Sequence, residues 1–287
     1  MWIPSNFTTT VCFLCINNGE KMLYCGTAFF VMVGEAEFPD ASIGYLVTAK
    51  HCICKAFDQY GNLSCRLNKK DGGVKFFSLP SLNSQDWFLS DDADVAVFEF
   101  PDDDSVDYSA IPSMSFLTDE LVQNENIGIG DEVFLIGLFN LAHGRERNFP
   151  VVRSGMIASM QNEPFRDSYT GNDYRAFLIE VRSIGGLSGS PVFMALQKRG
   201  MEMHPAPRGF NFWTHSLILI GLIRGHWDMY DQDFLPDSGI EKMEKLNTGI
   251  AIVTPIREVE KVLMSDELRK IRKAHIRAYQ KDHQSTR

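Results

Sequence analysis

Short apolar runs separated by polar turns recur along most of the chain, and this pattern predicts β-strands. Examples are residues 26–33, 94–100 and 217–223, and the turn signals between such runs include 17–19 and 71–73. Glycine and asparagine adopt the backbone conformations that tight turns require. Many short strands with turns between them are typical of sandwiches and barrels, whereas alternating α/β units give a different pattern. The sequence up to about residue 255 is therefore predicted to be all-β.

The pattern changes to a helical period after Thr254-Pro255, where Ile256, Val259 and Leu263 recur on one face. Ser265 resembles a fresh N-cap, so one broken helix or two consecutive helices are expected. Residues 101–123 are acidic and weakly patterned, which indicates a linker. The predicted organisation is a first β unit over 7–105, a linker over 106–125, a second β unit over 126–254 and helices over 255–284.

Three later stretches, 161–174, 197–214 and 226–247, are too long for simple hairpins and are rich in Gly, Pro, Asn and Asp. Long loops on a rigid β scaffold often border a functional site. These three stretches are therefore candidates to border a functional site.

Charge and hydropathy limit the binding partners and the cellular location that the chain is expected to have. The net charge of −9 argues against general nucleic-acid binding. No apolar run is long enough for a membrane span, and no basic leader precedes an apolar run, so a cytoplasmic location is expected. The last thirty residues are nevertheless basic, which fits either a solvated helix face or a docking surface for a regulatory protein partner. The basic residues are Arg269, Lys270, Arg272, Lys273, Arg277 and Lys281.

All cysteines lie early in the chain, at positions 12, 15, 25, 52, 54 and 65. Cys12-x-x-Cys15 allows a zinc interpretation, but in a strand two residues three apart point to opposite faces. A second well-formed pair of this spacing is missing. Buried free thiols are the favoured interpretation, and neither a metal nor a cofactor is predicted.

The run at 185–191, Gly-Gly-Leu-Ser-Gly-Ser-Pro, places Ser188 in a glycine-rich turn between two apolar runs. Such a turn can direct the backbone N–H groups of Gly186 and Ser188 at one point, which would make an oxyanion hole. The glycine spacing and the missing helix exclude the nucleophile elbow of α/β-hydrolases. Taken alone, the run also fits an ordinary turn.

A histidine and an aspartate complete a possible catalytic set. His51 follows the apolar strand 46–49, and Asp94 stands at the start of another strongly apolar strand. This position favours an inward-facing carboxylate at Asp94. Asp91 and Asp92 are better interpreted as solvated loop acids.

Together the motifs T-A-K-H-C, D-V-A-V and G-L-S-G-S-P resemble those of the chymotrypsin/trypsin family in order and spacing. Residues 23–27, 221–227 and 247–255 resemble further family strands, the last one that of bacterial trypsin-like proteases. The resemblance runs from about residue 7 to 263. It implies two six-stranded antiparallel β-barrels with the site between them, followed here by a C-terminal α-helical extension.

The same resemblance implies a serine endopeptidase that cleaves protein or peptide substrates through an acyl-enzyme. Ser188 would be the nucleophile, His51 the general base and then the general acid, and Asp94 the group that orients the imidazole. The N–H groups of Gly186 and Ser188 would form the oxyanion hole. Two alternatives remain open: a catalytically silent protein-binding module, and an esterase or autoprocessing enzyme with the same chemistry.

Several positions depart from the family pattern. Secreted members carry an aspartate before the nucleophile that pairs with a new N-terminus, but here that residue is Leu187, and no activation sequence stands upstream. Activation from a zymogen is therefore not expected. Cys25 and Cys52 align with a pair that is bridged in secreted relatives, and here they are expected mostly as thiols. No peptide-sensing PDZ-like domain is expected after the second β unit.

Substrate specificity depends on residues that the resemblance assigns only by motif counting. Arg182 would stand at the base of the primary pocket, and Arg224, Gly225 and His226 would line the strand that flanks the substrate. A basic pocket could favour an acidic side chain. Arg182 could equally point outward from its strand.

Overall fold

The computed structural model describes residues 5–82, 85–139, 142–161, 163–166, 173–181, 186–196, 217–230 and 245–284. The N-terminal half forms one sheet. Its strands are β1 (Val11–Asn17), β2 (Met22–Glu35), β3 (Phe38–Thr48), β4 (Ser64–Asn68), β5 (Val74–Ser78), β6 (Trp87–Leu89), β7 (Ala96–Glu99) and β8 (Ile111–Pro112). They run in the order β5-β4-β1-β2-β3-β7-β6, with β8 parallel to β2.

The C-terminal half contains a closed, antiparallel six-stranded barrel and a short hairpin. The barrel strands are β9 (Glu132–Gly137), β10 (Val151–Ser159), β13 (Phe177–Glu180), β14 (Pro191–Ala195), β15 (Leu217–Tyr230) and β16 (Lys245–Pro255). They run in the order β10-β13-β16-β15-β14-β9. The hairpin pairs β11 (Phe165–Arg166) with β12 (Asp173–Tyr174), inside one of the long loops that the sequence predicts.

The prediction of a mostly β chain with a six-stranded barrel in its second half is confirmed. The prediction of a second closed barrel is not confirmed, because no hydrogen bonds join β5 to β6 among the described residues. The edge strand β6 has only three residues. Strand β6 therefore offers few backbone N–H and C=O groups for hydrogen bonds to a second neighbouring strand.

The hydrophobic core is continuous between the two halves. Strand β1 buries six consecutive residues, as expected for a strand that is paired on both edges. Phe7, in the 3-10 helix Ser5–Thr10, reaches the closed barrel, where its ring lies 5.4 Å from that of Phe193. The N-terminal segment thus fastens the two sheets together.

Four α-helices are described, and two of them are those expected at the C-terminus. These are α3 (Ile256–Leu263) and α4 (Asp266–Gln284), while α1 (Lys50–Tyr60) and α2 (Asp119–Asn124) were not predicted. Helix α2 lies within the stretch predicted as a linker. None of the helices in the described ranges combines the length and the apolar character that a membrane span requires.

Arg66 joins the two halves through a buried charge that pairs with no carboxylate among the described residues. Its guanidinium donates to the carbonyl oxygens of His143, Gly144 and Arg145, and to Asn148 Oδ1 at 2.9 Å. Only 2% of Arg66 is exposed. The cation is therefore stabilised by oxygen dipoles and by the Tyr24 ring, whose centre lies 5.8 Å from it, and these hydrogen bonds fix residues 143–148 against β4.

Helix α4 is attached to the first sheet by a second buried cation. Arg272 is fully buried, and its guanidinium donates to Glu35 on β2, to Tyr45 Oη at 3.3 Å and to the Leu263 carbonyl at 2.9 Å. Lys273 pairs with Glu37 at the surface. A solvated helix face and a docking surface would both place Arg272 outside the core. This prediction is wrong for Arg272, because Glu35 compensates its charge in the protein interior.

We expect replacement of Arg272 by Met to destabilise the fold by about 3 kcal/mol, because it leaves the buried Glu35 carboxylate with only the Arg269 guanidinium, 3.8 Å away, as a partner. Urea unfolding measures this loss. Removing both charges in an Arg272→Met, Glu35→Gln variant should restore part of the stability. The surface variant Lys273→Met serves as the control, and an equal loss in that variant would contradict the assignment.

Candidate active site

His51 is held at the start of α1 by a carboxylate from a distant loop. The chain leaves β3 at Thr48 and enters the helix after Ala49, whose side chain cannot cap the first N–H groups. The His51 N–H donates instead to Asp94 Oδ1 at 2.8 Å, and the ring Nδ1 lies 2.7 Å from Asp94 Oδ2. One carboxylate therefore caps the helix and orients the imidazole. The placement of His51 within a helix differs from the predicted strand end.

The loop that presents Asp94 is tightly closed between β6 and β7. The Ser90 N–H donates to the Val95 carbonyl at 3.0 Å, and the Lys50 ammonium donates to the Ser90 carbonyl. The Asp94 side chain is 13% exposed. The inward orientation predicted from the following apolar strand is what the structure shows.

The electrostatic setting of Asp94 keeps it ionised. Burial by itself would raise the pKa of Asp94, because the carboxylate loses water. The hydrogen bonds from the His51 ring and backbone and the electrostatic influence of His51 and Arg224 outweigh burial, so that the pKa of Asp94 falls below its ordinary value of 3.8. An ionised Asp94 stabilises a positive charge on the imidazole. Because Nδ1 faces Asp94, Nε2 is the ring atom that can exchange a proton with another group.

Ser188 lies in a turn whose conformation requires glycine. Gly186 and Gly189 have φ of 98° and 83°, in the left-handed region that glycine favours. A Cβ at Gly189 would lie 2.1 Å from the Thr27 carbonyl oxygen and 3.3 Å from Ala49 N. No larger residue fits there, so the turn packs directly against the segment that leads to His51.

The turn leaves several of its N–H groups available, including those of Gly186 and Ser188. The Gly189 N–H donates to the Ile223 carbonyl at 2.7 Å, and the Ser190 N–H donates within the turn at 2.9 Å. In the described part of the chain, the N–H groups of Gly186 and Ser188 donate to no other group. These are the two donors that the sequence analysis assigns to an oxyanion hole.

The serine turn also approaches the residue that follows His51. A Cβ on Gly26 would lie 3.0 Å from Cys52 Sγ and 3.3 Å from the Ser188 carbonyl oxygen. The side chains of Ser188 and His51, both among the described residues, form no hydrogen bond with each other. His51 Nε2 lies instead 3.5 Å from Cys52 Sγ. Such bonds are often long before substrate binds, and a serine hydroxyl moves by rotation about one bond.

An open cavity of about 780 Å³ lies beside His51 and Asp94. The structure brings the predicted residues Arg224, Gly225 and His226 to it, while the predicted Arg182 lies outside the described residues. The Arg224 guanidinium stacks 3.8 Å from the centre of the Tyr174 ring. The lining also includes Lys50, Lys55, Asp91, Asp92, Asp173 and Ile252.

Sequence reasoning missed five of these residues: Lys50, Lys55, Ile252, Asp173 and Tyr174. The long loop at 161–174 was the signal that could have indicated the last two. The lysines become neighbours of the cavity only because α1 turns them toward it, and α1 was not predicted. Basic and acidic groups both line the cavity, so a preference for acidic substrates stays a prediction.

The cysteines form no bridge. All six are free thiols, including the predicted pair Cys25 and Cys52. Burial raises the pKa of Cys25 to about 12 and raises that of Cys52 as well, where the nearby Cys25 and Asp94 add to the effect. Both sulfurs are therefore protonated at neutral pH and weakly nucleophilic. Across the described ranges, no three His, Cys, Asp or Glu side chains are grouped as metal ligands.

Compared with known proteins, the chain matches no family model and no curated protein significantly. The resemblance to the chymotrypsin/trypsin family therefore rests on the sequence motifs alone.

A thiol titration tests the state of the cysteines. In denaturant without reductant we expect all six thiols to react with a disulfide reagent. In the native protein, the partly exposed Cys54 should react before the buried Cys52, because burial shields the Cys52 thiol and raises its pKa. A count of four in denaturant would instead reveal a bridge.

The lowered pKa of Asp94 predicts a pH-dependent contribution to stability. A carboxylate whose pKa is depressed on folding stabilises the native state above its unfolded pKa, and this contribution disappears as pH falls through the folded value. The stability advantage of wild type over Asp94→Asn should thus be constant above about pH 5 and should decline below 3.8. Urea unfolding at a series of pH values measures it. An advantage that grows as pH falls would contradict the assignment.

Proposed function

We propose that the chain is a serine endopeptidase of the chymotrypsin type, in which Ser188, His51 and Asp94 form the catalytic triad. The observation that carries the proposal is the double hydrogen bond between His51 and Asp94, through the ring at 2.7 Å and the backbone at 2.8 Å. This arrangement fixes the tautomer in which Nε2 can accept a proton.

The catalytic roles follow from the chemistry of the groups. A serine hydroxyl is a weak nucleophile until a base accepts its proton, and His51 Nε2 would be that base. Attack on a peptide carbonyl would form a tetrahedral intermediate with a negatively charged oxygen. His51 would then protonate the leaving amine, and water would hydrolyse the acyl-enzyme on Ser188.

The unpaired N–H groups of Gly186 and Ser188 support an oxyanion hole. A donor of this kind contributes about 3–4 kcal/mol to the stabilisation of the transition state, because it is aimed before the charge develops. Strand β14 follows the turn directly and pairs with β9 and β15. The donors would therefore be carried by the rigid barrel.

The proposal includes the finer fold assignment, in which the N-terminal sheet corresponds to the first barrel of the family. His51 and Asp94 lie on segments between strands of this sheet and Ser188 lies just before strand β14 of the closed barrel, so the cleft would lie between the halves. Leu187 is fully buried, so the oxyanion turn is held by apolar packing where secreted members of the family form an ion pair after zymogen cleavage. This packing favours an enzyme that is active as synthesised, with an intracellular location as the expected setting.

A fluorophosphonate probe tests the nucleophile. We expect wild type to be labelled at Ser188, and Ser188→Ala to take no label. Asp94→Asn should lower the labelling rate by about 10⁴-fold, as expected when the imidazole loses its orienting carboxylate.

Ser190→Ala is the matched control, because the buried Ser190 hydroxyl has no hydrogen-bond partner. It should label like wild type. Absence of label on wild type would instead favour a protein-binding module without catalysis. Comparison of protein N-termini in cells that express wild type or Ser188→Ala separates a protease acting on other proteins from an autoprocessing enzyme or an esterase.

A further inference from the structure

Thr27 is a buried residue of β2 that touches the serine turn at two points. Its backbone N–H donates to the Ser188 carbonyl at 2.9 Å, and its hydroxyl donates to the Gly186 carbonyl, also at 2.9 Å. The side chain is fully buried. One residue of the first sheet therefore holds the carbonyl groups of both residues that carry the unpaired N–H groups.

The direction of the Thr27 hydroxyl is fixed by the closed barrel. The Leu138 N–H, just after β9, donates to Thr27 Oγ1 at 2.9 Å. A hydroxyl has one hydrogen, and because its oxygen accepts from Leu138, that hydrogen is left for Gly186. The Thr27 carbonyl accepts in turn from the Thr48 hydroxyl at 2.7 Å, three residues before His51. The hydroxyl is thus a rigid link between β9, β2 and the turn.

The Gly186 backbone needs such a link. With no Cβ and a φ of 98°, Gly186 has few steric restraints on its peptide orientation. The Gly186 N–H belongs to the peptide unit before its Cα and the Gly186 carbonyl to the unit after it, so their relative orientation is set by the φ and ψ of Gly186. A hydrogen bond to the carbonyl fixes one of these two peptide units and so restricts the rotation of Gly186. Two oxyanion donors act only when they converge, so this restriction bears on their alignment.

We propose that Thr27 is a positioning residue for the oxyanion hole, which its side-chain hydroxyl aligns through Gly186. The inference rests on the proposed function of Ser188. It assigns to the Thr27 side chain a role that the backbone N–H of the same residue cannot fill, because that N–H is already used by Ser188.

The test is the rate of fluorophosphonate labelling at saturating probe, measured for Thr27→Val and Thr27→Ser. Valine keeps the shape and the backbone N–H but removes the hydroxyl, whereas serine keeps the hydroxyl. Outright removal of an oxyanion donor costs about 100- to 1,000-fold in rate, and misalignment should cost less. We expect Thr27→Val to lower the saturating rate by about tenfold with unchanged probe affinity, and Thr27→Ser to restore it.

Thr10→Val is the matched control for a purely structural effect. Thr10 is also fully buried and its hydroxyl donates to the Phe7 carbonyl at 2.7 Å, in the N-terminal 3-10 helix. It should lower the melting temperature without changing the labelling rate. The saturating rate is a property of folded molecules only, so a loss of stability in Thr27→Val does not mimic the expected result. If Thr27→Val fails to fold, Thr27→Ala provides the same measurement with less steric change.

The outcomes separate the two proposals. Equal saturating rates for wild type and Thr27→Val, with label on Ser188, would overturn the role of Thr27 and leave the protease assignment intact. Weaker probe affinity with an unchanged saturating rate would also overturn it, because that result indicates binding and not alignment. Wild type that takes no label at Ser188 would overturn both proposals.

Discussion

The carboxylate of Asp94 is the constraint on which the candidate site depends. It accepts one hydrogen bond from the imidazole of His51 and another from the N–H of the same residue. Helix α1 therefore begins where it does because a charge from the β6–β7 loop satisfies its first turn, and a negative charge is favourable at a helix N-terminus. The carboxylate that fixes the local backbone at the start of α1 therefore also orients the His51 ring. The serine turn packs against this same segment of backbone.

Much of this arrangement could be predicted from the sequence because its parts are local. The order of the three motifs identified His51, Asp94 and Ser188, and the apolar strand after Asp94 indicated a buried carboxylate. The barrel followed from the repeated strand and turn pattern. Helix α1 could not be predicted in this way, since the run after Lys50 resembles a strand and its cap lies 43 residues away at Asp94.

Other features escaped prediction because they depend on partners distant in the sequence. Arg272 belongs to a helix that looks solvated, and only contact with Glu35, 237 residues earlier, makes its burial favourable. The open first sheet reflects the length of β6, which depends on a tight turn more than on hydrophobic pattern. The stacking of Arg224 on Tyr174 joins a strand to a hairpin whose position composition alone does not define.

The two buried arginines constrain the sequence in different ways. Arg272 and Glu35 form a charged pair, so replacing either residue leaves the other as a buried charge. Arg66 is held mainly by backbone carbonyl oxygens of residues 143–145, which a side-chain substitution at those positions does not remove. The attachment of the C-terminal helix therefore ties two distant positions of the sequence to each other, whereas the junction between the two halves depends mainly on carbonyl oxygens that every amino acid carries.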